Sequence, residues 1–235
     1  YVTGYTEGNL DGNVNIGGKD IFVVKYDSSG NKLWTQQFGS TGRDEGKEIT
    51  VDTNGSIYIA GVTYAGLDGN SLACETIVSW ASCGSDIIVM KYNSSGAKLW
   101  MDQLGTVDNT HPEGITSDSN GNVYITGWTY GHLDGNTNVG WNGEEYGFWN
   151  EDIFIVKYDN EGVRQWTQQI GSTTYDRPRD IALDSIGNIY VTGSTEGDLD
   201  GSGNFGEEDI FLVKFDHIGT KKWTQQLGSP AAEGG

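Results

Sequence analysis

The chain has 235 residues, a formal net charge of −19, 36 glycines and 3 prolines. So large an excess of carboxylates excludes a nucleic acid or an anionic membrane as the partner, and makes a compact state costly unless cations neutralise part of it. No apolar run approaches the roughly 20 residues of a membrane-spanning helix, and no G-X-Y period accompanies the glycine; tight turns between short strands remain.

The opening YVTGYT reads as mid-strand sequence and not as a leader, so the expectation is that the natural start was removed or lies elsewhere. Residues 20–38, DIFVVKYDSSGNKLWTQQF, are two apolar runs around a polar turn that ends in Gly, a hairpin pattern. The pattern returns at 86–104, 152–170 and 209–227, each time with a Trp opening the second strand: Trp34, Trp100, Trp166 and Trp223. Before each hairpin stands a strand-like IYIAGVT, VYITGWT or IYVTGST, preceded in three repeats by a short strand at 48–52, 114–118 or 180–184. In the order a, b, c, d this makes four antiparallel strands per repeat.

The b-strand tyrosines Tyr1, Tyr58, Tyr124 and Tyr190 are 57, 66 and 66 residues apart, whereas the tryptophans are 66, 66 and 57 apart. The nine-residue difference therefore sits in the b–c loops of the second and third repeats. Strand lengths are fixed and one loop varies, as loops on one face are free to do. The expected fold is an all-β propeller of four-stranded blades, three complete and one lacking strand a. Its repeats span approximately 1–45, 46–111, 112–177 and 178–235 of one domain, 1–235, read as an arc of a larger propeller.

These repeats, D-I-F-V-V-K-Y-D-S-S-G-N-K-L-W-T-Q-Q-F-G with I-Y-V-T-G-S-T, resemble the bacterial and archaeal β-propeller repeat family called SBBP. The resemblance implies a secreted or surface propeller and no general activity. The hairpin tryptophans are similar in position to the docking tryptophans of quinoprotein propellers and are expected to pack between adjacent blades.

The b–c loops carry the strongest chemical pattern. LDGNVNIGGKD (10–20) and LDGSGNFGEED (199–209) place oxygen-bearing side chains at alternate positions, and LDGNTNVG (133–140) repeats their first half. The sets are Asp11, Asn13, Asn15 and Asp20; Asp134, Asn136, Asn138 and Asp152; Asp200, Ser202, Asn204 and Asp209. Hard oxygen ligands alternating along a wrapped loop suit Ca²⁺, and the competing reading is Asx turns relaxed by glycine. The second repeat keeps Asp68 and Asn70 but has Leu72 at the next alternate position, so a weak or empty site is expected there. Cys74 and Cys83 lie in that loop. A disulfide between them would be worth about 2.7 kcal/mol in the chain-entropy picture and favours an extracytoplasmic setting.

The long loops are also rich in aromatic residues: Trp80, Trp141, Tyr146, Phe148 and Trp149, with Trp128 and Tyr130 nearby. They could bind a glycan or a surface protein, or form a small core of their own. Asp44 and Asp176, read as d–a loop residues, would share that rim. Catalysis is not expected: the three histidines are isolated and no hydrolase, P-loop or dinucleotide motif occurs. The expected function is thus a non-catalytic, calcium-stabilised extracellular scaffold or adhesion module. The alternatives are a carbohydrate-binding module and a subunit of an extracellular filament or envelope assembly, with further repeats or copies of the chain as partners.

Overall fold

One turn chemistry builds the sheets. In the first hairpin, Asp27 Oδ1 accepts the N–H groups of Ser29 at 2.9 Å and Asn31 at 2.8 Å, while Gly30, at φ +81°, donates to the Asp27 carbonyl at 3.1 Å. A carboxylate that caps its own turn, followed by a left-handed glycine, returns the chain with the twist that a β-hairpin needs. The same bonds form at Asn93, Asp159 and Asp216 in the other c–d turns. They recur at Asp52, Asp118 and Asp184 in the a–b turns.

The computed structural model describes residues 1–74, 83–140 and 150–230. A three-stranded sheet is formed by β1 (Val2–Thr6), β2 (Asp20–Tyr26) and β3 (Lys32–Phe38). The next holds β4 (Asp44–Val51), β5 (Ile57–Thr63), β6 (Asp86–Tyr92) and β7 (Lys98–Leu104). The third holds β8 (Thr110–Ser117), β9 (Val123–Thr129), β10 (Asp152–Tyr158) and β11 (Arg164–Ile170). The last holds β12 (Asp176–Leu183), β13 (Ile189–Thr195), β14 (Asp209–Phe215) and β15 (Lys221–Leu227). In every sheet the strands are ordered as in the chain, so these are up-and-down propeller blades, three of four strands and one of three. The chain divides into two compact units, 1–115 and 116–235, with the division inside β8.

The first strand of a blade starts earlier than the sequence pattern suggests. β4 begins at Asp44 and not at 48, β8 at Thr110 and not at 114, and β12 at Asp176 and not at 180. The ladder shifts register between Gly46 and Glu48 and between Pro178 and Asp180, and this bulge breaks the alternation by which a strand is recognised. Asp44 and Asp176 are therefore buried strand residues, not rim residues, and His111 lies within β8.

Each unit has a core shared by consecutive sheets. In the first, Ile21 and Val23 of β2 cluster with Ile57 and Ile59 of β5 and Ile88 and Met90 of β6. In the second, Ile153 and Ile155 of β10 cluster with Ile189 and Val191 of β13 and Phe211 and Val213 of β14. These are the alternate, inward residues of period-two strands.

A polar–aromatic row crosses each sheet at its turn end. Tyr58 of β5 is opposite Lys91 of β6, and Lys91 is opposite Trp100 of β7. Tyr124, Lys157 and Trp166 repeat this, as do Tyr190, Lys214 and Trp223. The Lys Nζ lies 5.0–5.4 Å from the Tyr ring centre in all four repeats, a cation–π distance. In the first unit the Trp34 ring then meets the turn of the following sheet: Lys25 Nζ donates to the Ser94 carbonyl at 2.9 Å, and the ring covers Gly96. In the second unit Trp166 covers Gly219 in the same way. These two tryptophans do pack between consecutive blades.

Gly96 has φ +88°, and a Cβ there would stand 3.1 Å from the Trp34 ring. Gly96→Ala is expected to lose about 1–2 kcal/mol to the left-handed backbone alone, and more as the ring is displaced. Urea unfolding checks this, and an unchanged midpoint would contradict the packing described.

Candidate functional site

The b–c loops, 7–19, 64–85, 130–151 and 196–208, leave their sheets from one repeated base. At that base Asp20, Asp86, Asp152 and Asp209 open strand c and are all buried. Gln37, Gln103, Gln169 and Gln226 of strand d donate Nε2–H to their Oδ2 atoms at 3.0, 2.9, 3.1 and 2.8 Å. The same glutamines accept, on Oε1, the N–H of Leu10, Leu67, Leu133 and Leu199 at 2.9–3.1 Å. Each Asp Oδ2 also accepts a backbone N–H from the far limb of its loop, at Ile16, Ala73, Val139 or Phe205. One Asp–Gln pair thereby clamps both limbs of every loop. A side chain at Gly39, Gly105, Gly171 or Gly228 would overlap the Asp carboxylate, which explains the glycine that follows each strand d.

A second carboxylate stands beside the first where consecutive sheets meet. Asp44 Oδ2 accepts the N–H and Oγ–H of Ser40 at 2.6 and 2.8 Å; Asp176 is held likewise by Ser172 and by Thr195 Oγ1. Burial pushes the Asp152 carboxyl up to about 7, and the Asp176 charge adds to it. Burial also pushes Asp176 up to about 6 and raises Asp44, whose neighbour Asp20 adds to the shift. Thr110 occupies this position after the second repeat. Among the described residues, Oδ1 of Asp20, Asp44, Asp152 and Asp209 is buried without a hydrogen-bond partner.

Next to these pairs lie ion pairs of opposite sense. In the first unit Glu45, its side chain 4% exposed, receives Lys19 at 2.8 Å, Arg43 at 2.7 Å and Lys47 at 2.7 Å. Burial raises the Glu45 carboxyl, but the three cations outweigh it and bring it from 4.5 to about 2. In the second unit Glu151 sits at the position of Lys19 and binds Arg177, which sits at the position of Glu45.

The LDG side chains reach the flanking strands. Asp11 and Asp134 have φ near +50°, each followed by a positive-φ glycine. Asn13 and Asn136 close these turns by donating N–H to Leu10 and Leu133 at 2.9 and 3.0 Å, which is type I′ geometry. Asp11 Oδ2 accepts from Lys32 Nζ and Thr35 Oγ1, both at 2.5 Å; Asp134 pairs with Arg164 and Thr167. Asn13 and Asn136 donate Nδ2–H to the Leu10 and Leu133 carbonyls, while Asn15, Asn138 and Asn204 donate to carbonyls of Thr6, Thr129 and Glu196. Asp200 accepts the N–H of Ser202 at 2.8 Å. Positions one and three of a loop thus face strand d or the turn itself, and position five faces strand b. Among the described residues no three His, Cys, Asp or Glu side chains gather at metal-binding distance.

Cys74 and Cys83 form a disulfide. Trp80, Trp141, Tyr146, Phe148 and Trp149 lie outside the described residues. Trp128 and Tyr130 form a tilted ring pair at 5.2 Å. A cleft of about 690 Å³ opens at the turn end of the second unit beside Asp118, Asp184, Lys157 and His217. Asp118 and Asp184 are each engaged there by their own turn and by a tyrosine, Tyr124 or Tyr190. The clamp glutamines were not singled out from sequence, although a Gln recurs at the same place in QQF, DQL, QQI and QQL. Its four-fold return was the available signal, obscured because Gln reads as an ordinary exposed strand residue.

The sequence model of the SBBP family, described as a beta-propeller repeat, matches residues 33–68, 99–134 and 165–200. The chain is 29% identical over 195 residues to "Regulatory protein FlaEY" of Caulobacter vibrioides, covering 80% of this chain and 20% of that protein. It is 22% identical over 238 residues to "Uncharacterized WD repeat-containing protein L264" of Acanthamoeba polyphaga mimivirus, covering 84% of this chain and 16% of that one. The chain therefore spans a fifth or less of these relatives' length. Among solved structures, a protein of unknown function from Bacteroides caccae matches with TM-score 0.47 at 9% identity, covering 98% of this chain and 60% of that chain. A gluconolactonase from Xanthomonas campestris matches with TM-score 0.43 at 12% identity, over 91% and 60% of the two chains.

Because the folded-state value of Glu45 lies below its ordinary one, its contribution to stability is complete above 4.5 and is lost as pH falls toward about 2. The stability difference between the native chain and Glu45→Gln should therefore be constant near neutrality and shrink through that acid window. Denaturant titrations at several pH values check it. A difference that stays the same at about pH 2.5 would remove the ion cluster from the account.

Proposed function

We propose that this array of SBBP β-propeller repeats is a non-catalytic extracellular scaffold that displays its b–c loops to a glycan or surface-protein partner. The observation that carries this reading is the Asp–Gln clamp, which is the same in four repeats while the loops above it differ by nine residues. Sequence above the clamp is free to change without cost to the sheet, as on other folds that present variable loops. The Cys74–Cys83 disulfide supports an oxidising compartment. The sequence of the two long loops is rich in the aromatic residue types, Trp80, Trp141, Tyr146 and Trp149 among them, that such partners use for stacking and anchoring.

Calcium is the second element of the proposal. Asp20, Asp152 and Asp209 each keep one buried oxygen without a hydrogen-bond partner among the described residues, and burial disfavours the charge of Asp152. An unpaired buried carboxylate oxygen is a ligand for a hard cation, and a chain of net charge −19 gains from taking one up.

Replacing residues 67–85 by residues 10–19 puts a short loop on an existing clamp. The variant is expected to stay folded by circular dichroism. Together with the same exchange of the third loop, it should lose whatever binding the native chain shows on a panel of immobilised polysaccharides and extracellular proteins. Binding that survives both exchanges would place the recognition surface elsewhere. Thermal unfolding in calcium and then in excess chelator tests the ion: one site filled to 100 times its dissociation constant adds about 2.7 kcal/mol. Coincident transitions, with no metal in the purified chain, would discard calcium.

A further inference from the structure

Three junctions between consecutive repeats share one backbone bond. The residue before strand c accepts, on its carbonyl, the N–H of the first residue of the following strand a: Lys19 from Asp44 at 2.7 Å, Ser85 from Thr110 at 2.8 Å, Glu151 from Asp176 at 2.8 Å. The side chain of that accepting residue is answered from the incoming strand region. Lys19 meets Glu45 at 2.8 Å; Ser85 Oγ meets Asn109 Oδ1 at 3.3 Å; Glu151 meets Arg177.

The first and third pairs are mirror images in charge. Glu45 and Glu151 have side chains only 4% and 2% exposed. Setting a Glu45-type strand against Glu151 would thus bury two carboxylates face to face, which costs far more than the correct pair gains. The junction discriminates by repulsion as well as attraction.

The fourth repeat presents the same edge without an answer. Asp209 is buried and clamped by Gln226 at 2.8 Å and by the Phe205 N–H at 2.9 Å. Before it stands Glu208, at the position of Glu151, with no hydrogen bond or ion pair to any described residue. Trp223 is 38% exposed where Trp34 and Trp166 cover turn glycines, and Leu227 is 72% exposed where its counterpart Leu104 is 8% exposed.

We propose that the outer face of the β12–β15 sheet receives a further repeat of the same class, whose first strand opens with Asp or Thr followed by Arg or Lys, the cation pairing with Glu208. The residue before strand c and the residue after the first of strand a together form an address that fixes which repeat follows which. Continuity with the three junctions, two of them ion-paired, and the acidic side chain of Glu208 identify the occupant. The first sheet of a second copy does not fit, because its three strands include no such leading strand.

The test extends the whole chain after Leu227 with a second copy of residues 171–228, which brings its own Asp176–Arg177 to this face. Leu227→Cys reports on the face, since the native cysteines are joined in a disulfide. Iodoacetamide alkylation of that thiol is expected to slow at least tenfold in the extended chain. Arg177→Glu in the appended copy should return the rate to that of the unextended chain, and adding Glu208→Arg should restore protection. Equal protection with Arg or Glu in the appended copy would overturn the address. No protection from the unaltered extension would overturn the receiving face itself.

Discussion

The bond on which the rest of the structure depends is the one from a strand-d glutamine to the buried aspartate at the start of strand c. A lone carboxylate at that depth would be a liability, because desolvation penalises its charge. The amide turns it into a fixed acceptor, and its own carbonyl oxygen holds the near limb of the loop. One side-chain pair therefore settles the strand register, the direction in which the loop leaves and the need for glycine after strand d. Four independent copies of this geometry make it the invariant of the molecule.

At the opposite end of each sheet a different chemistry does the same service. Tyrosine, lysine and tryptophan lie opposite one another on three adjacent strands, so a cation is held over the tyrosine ring, and in the first and third sheets it also donates to a carbonyl of the next turn. In the first and third sheets the tryptophan ring then finishes on a glycine of the following turn, the one residue flat enough to take it. Both ends of these two blades thus point toward the following blade, beside the cores that consecutive sheets share.

Much of this was legible in the sequence. The hairpins were, because their apolar residues alternate strictly and their turns repeat Asp or Asn three residues before Gly. The varying loop was, because spacings of tyrosine and tryptophan bracket it. The start of strand a was not: Asp44–Glu45–Gly46 and Asp176–Arg177–Pro178 look like loop, and a bulge hides their pairing. Nor were the partners of the LDG residues. Alternate oxygens describe a type I′ turn tied to strand d as well as they describe a coordination shell, and only distances to Lys32, Thr35 and Arg164 tell where these side chains go. The exchange of Lys19–Glu45 for Glu151–Arg177 was invisible for another reason: each residue, taken alone, is one charge among many.

That exchange bears on how such genes can change. Tandem repeats recombine readily, and an unequal crossover deletes whole units while preserving the reading frame. Here, excising the two middle repeats would bring Lys19 against Arg177, cation on cation with neither buried glutamate left to answer it. The shortened chain would keep every hairpin and every clamp and still be penalised at its new seam. Which repeat can follow which is thus restricted by charge at the joints, while the loops above the clamp can change without touching them.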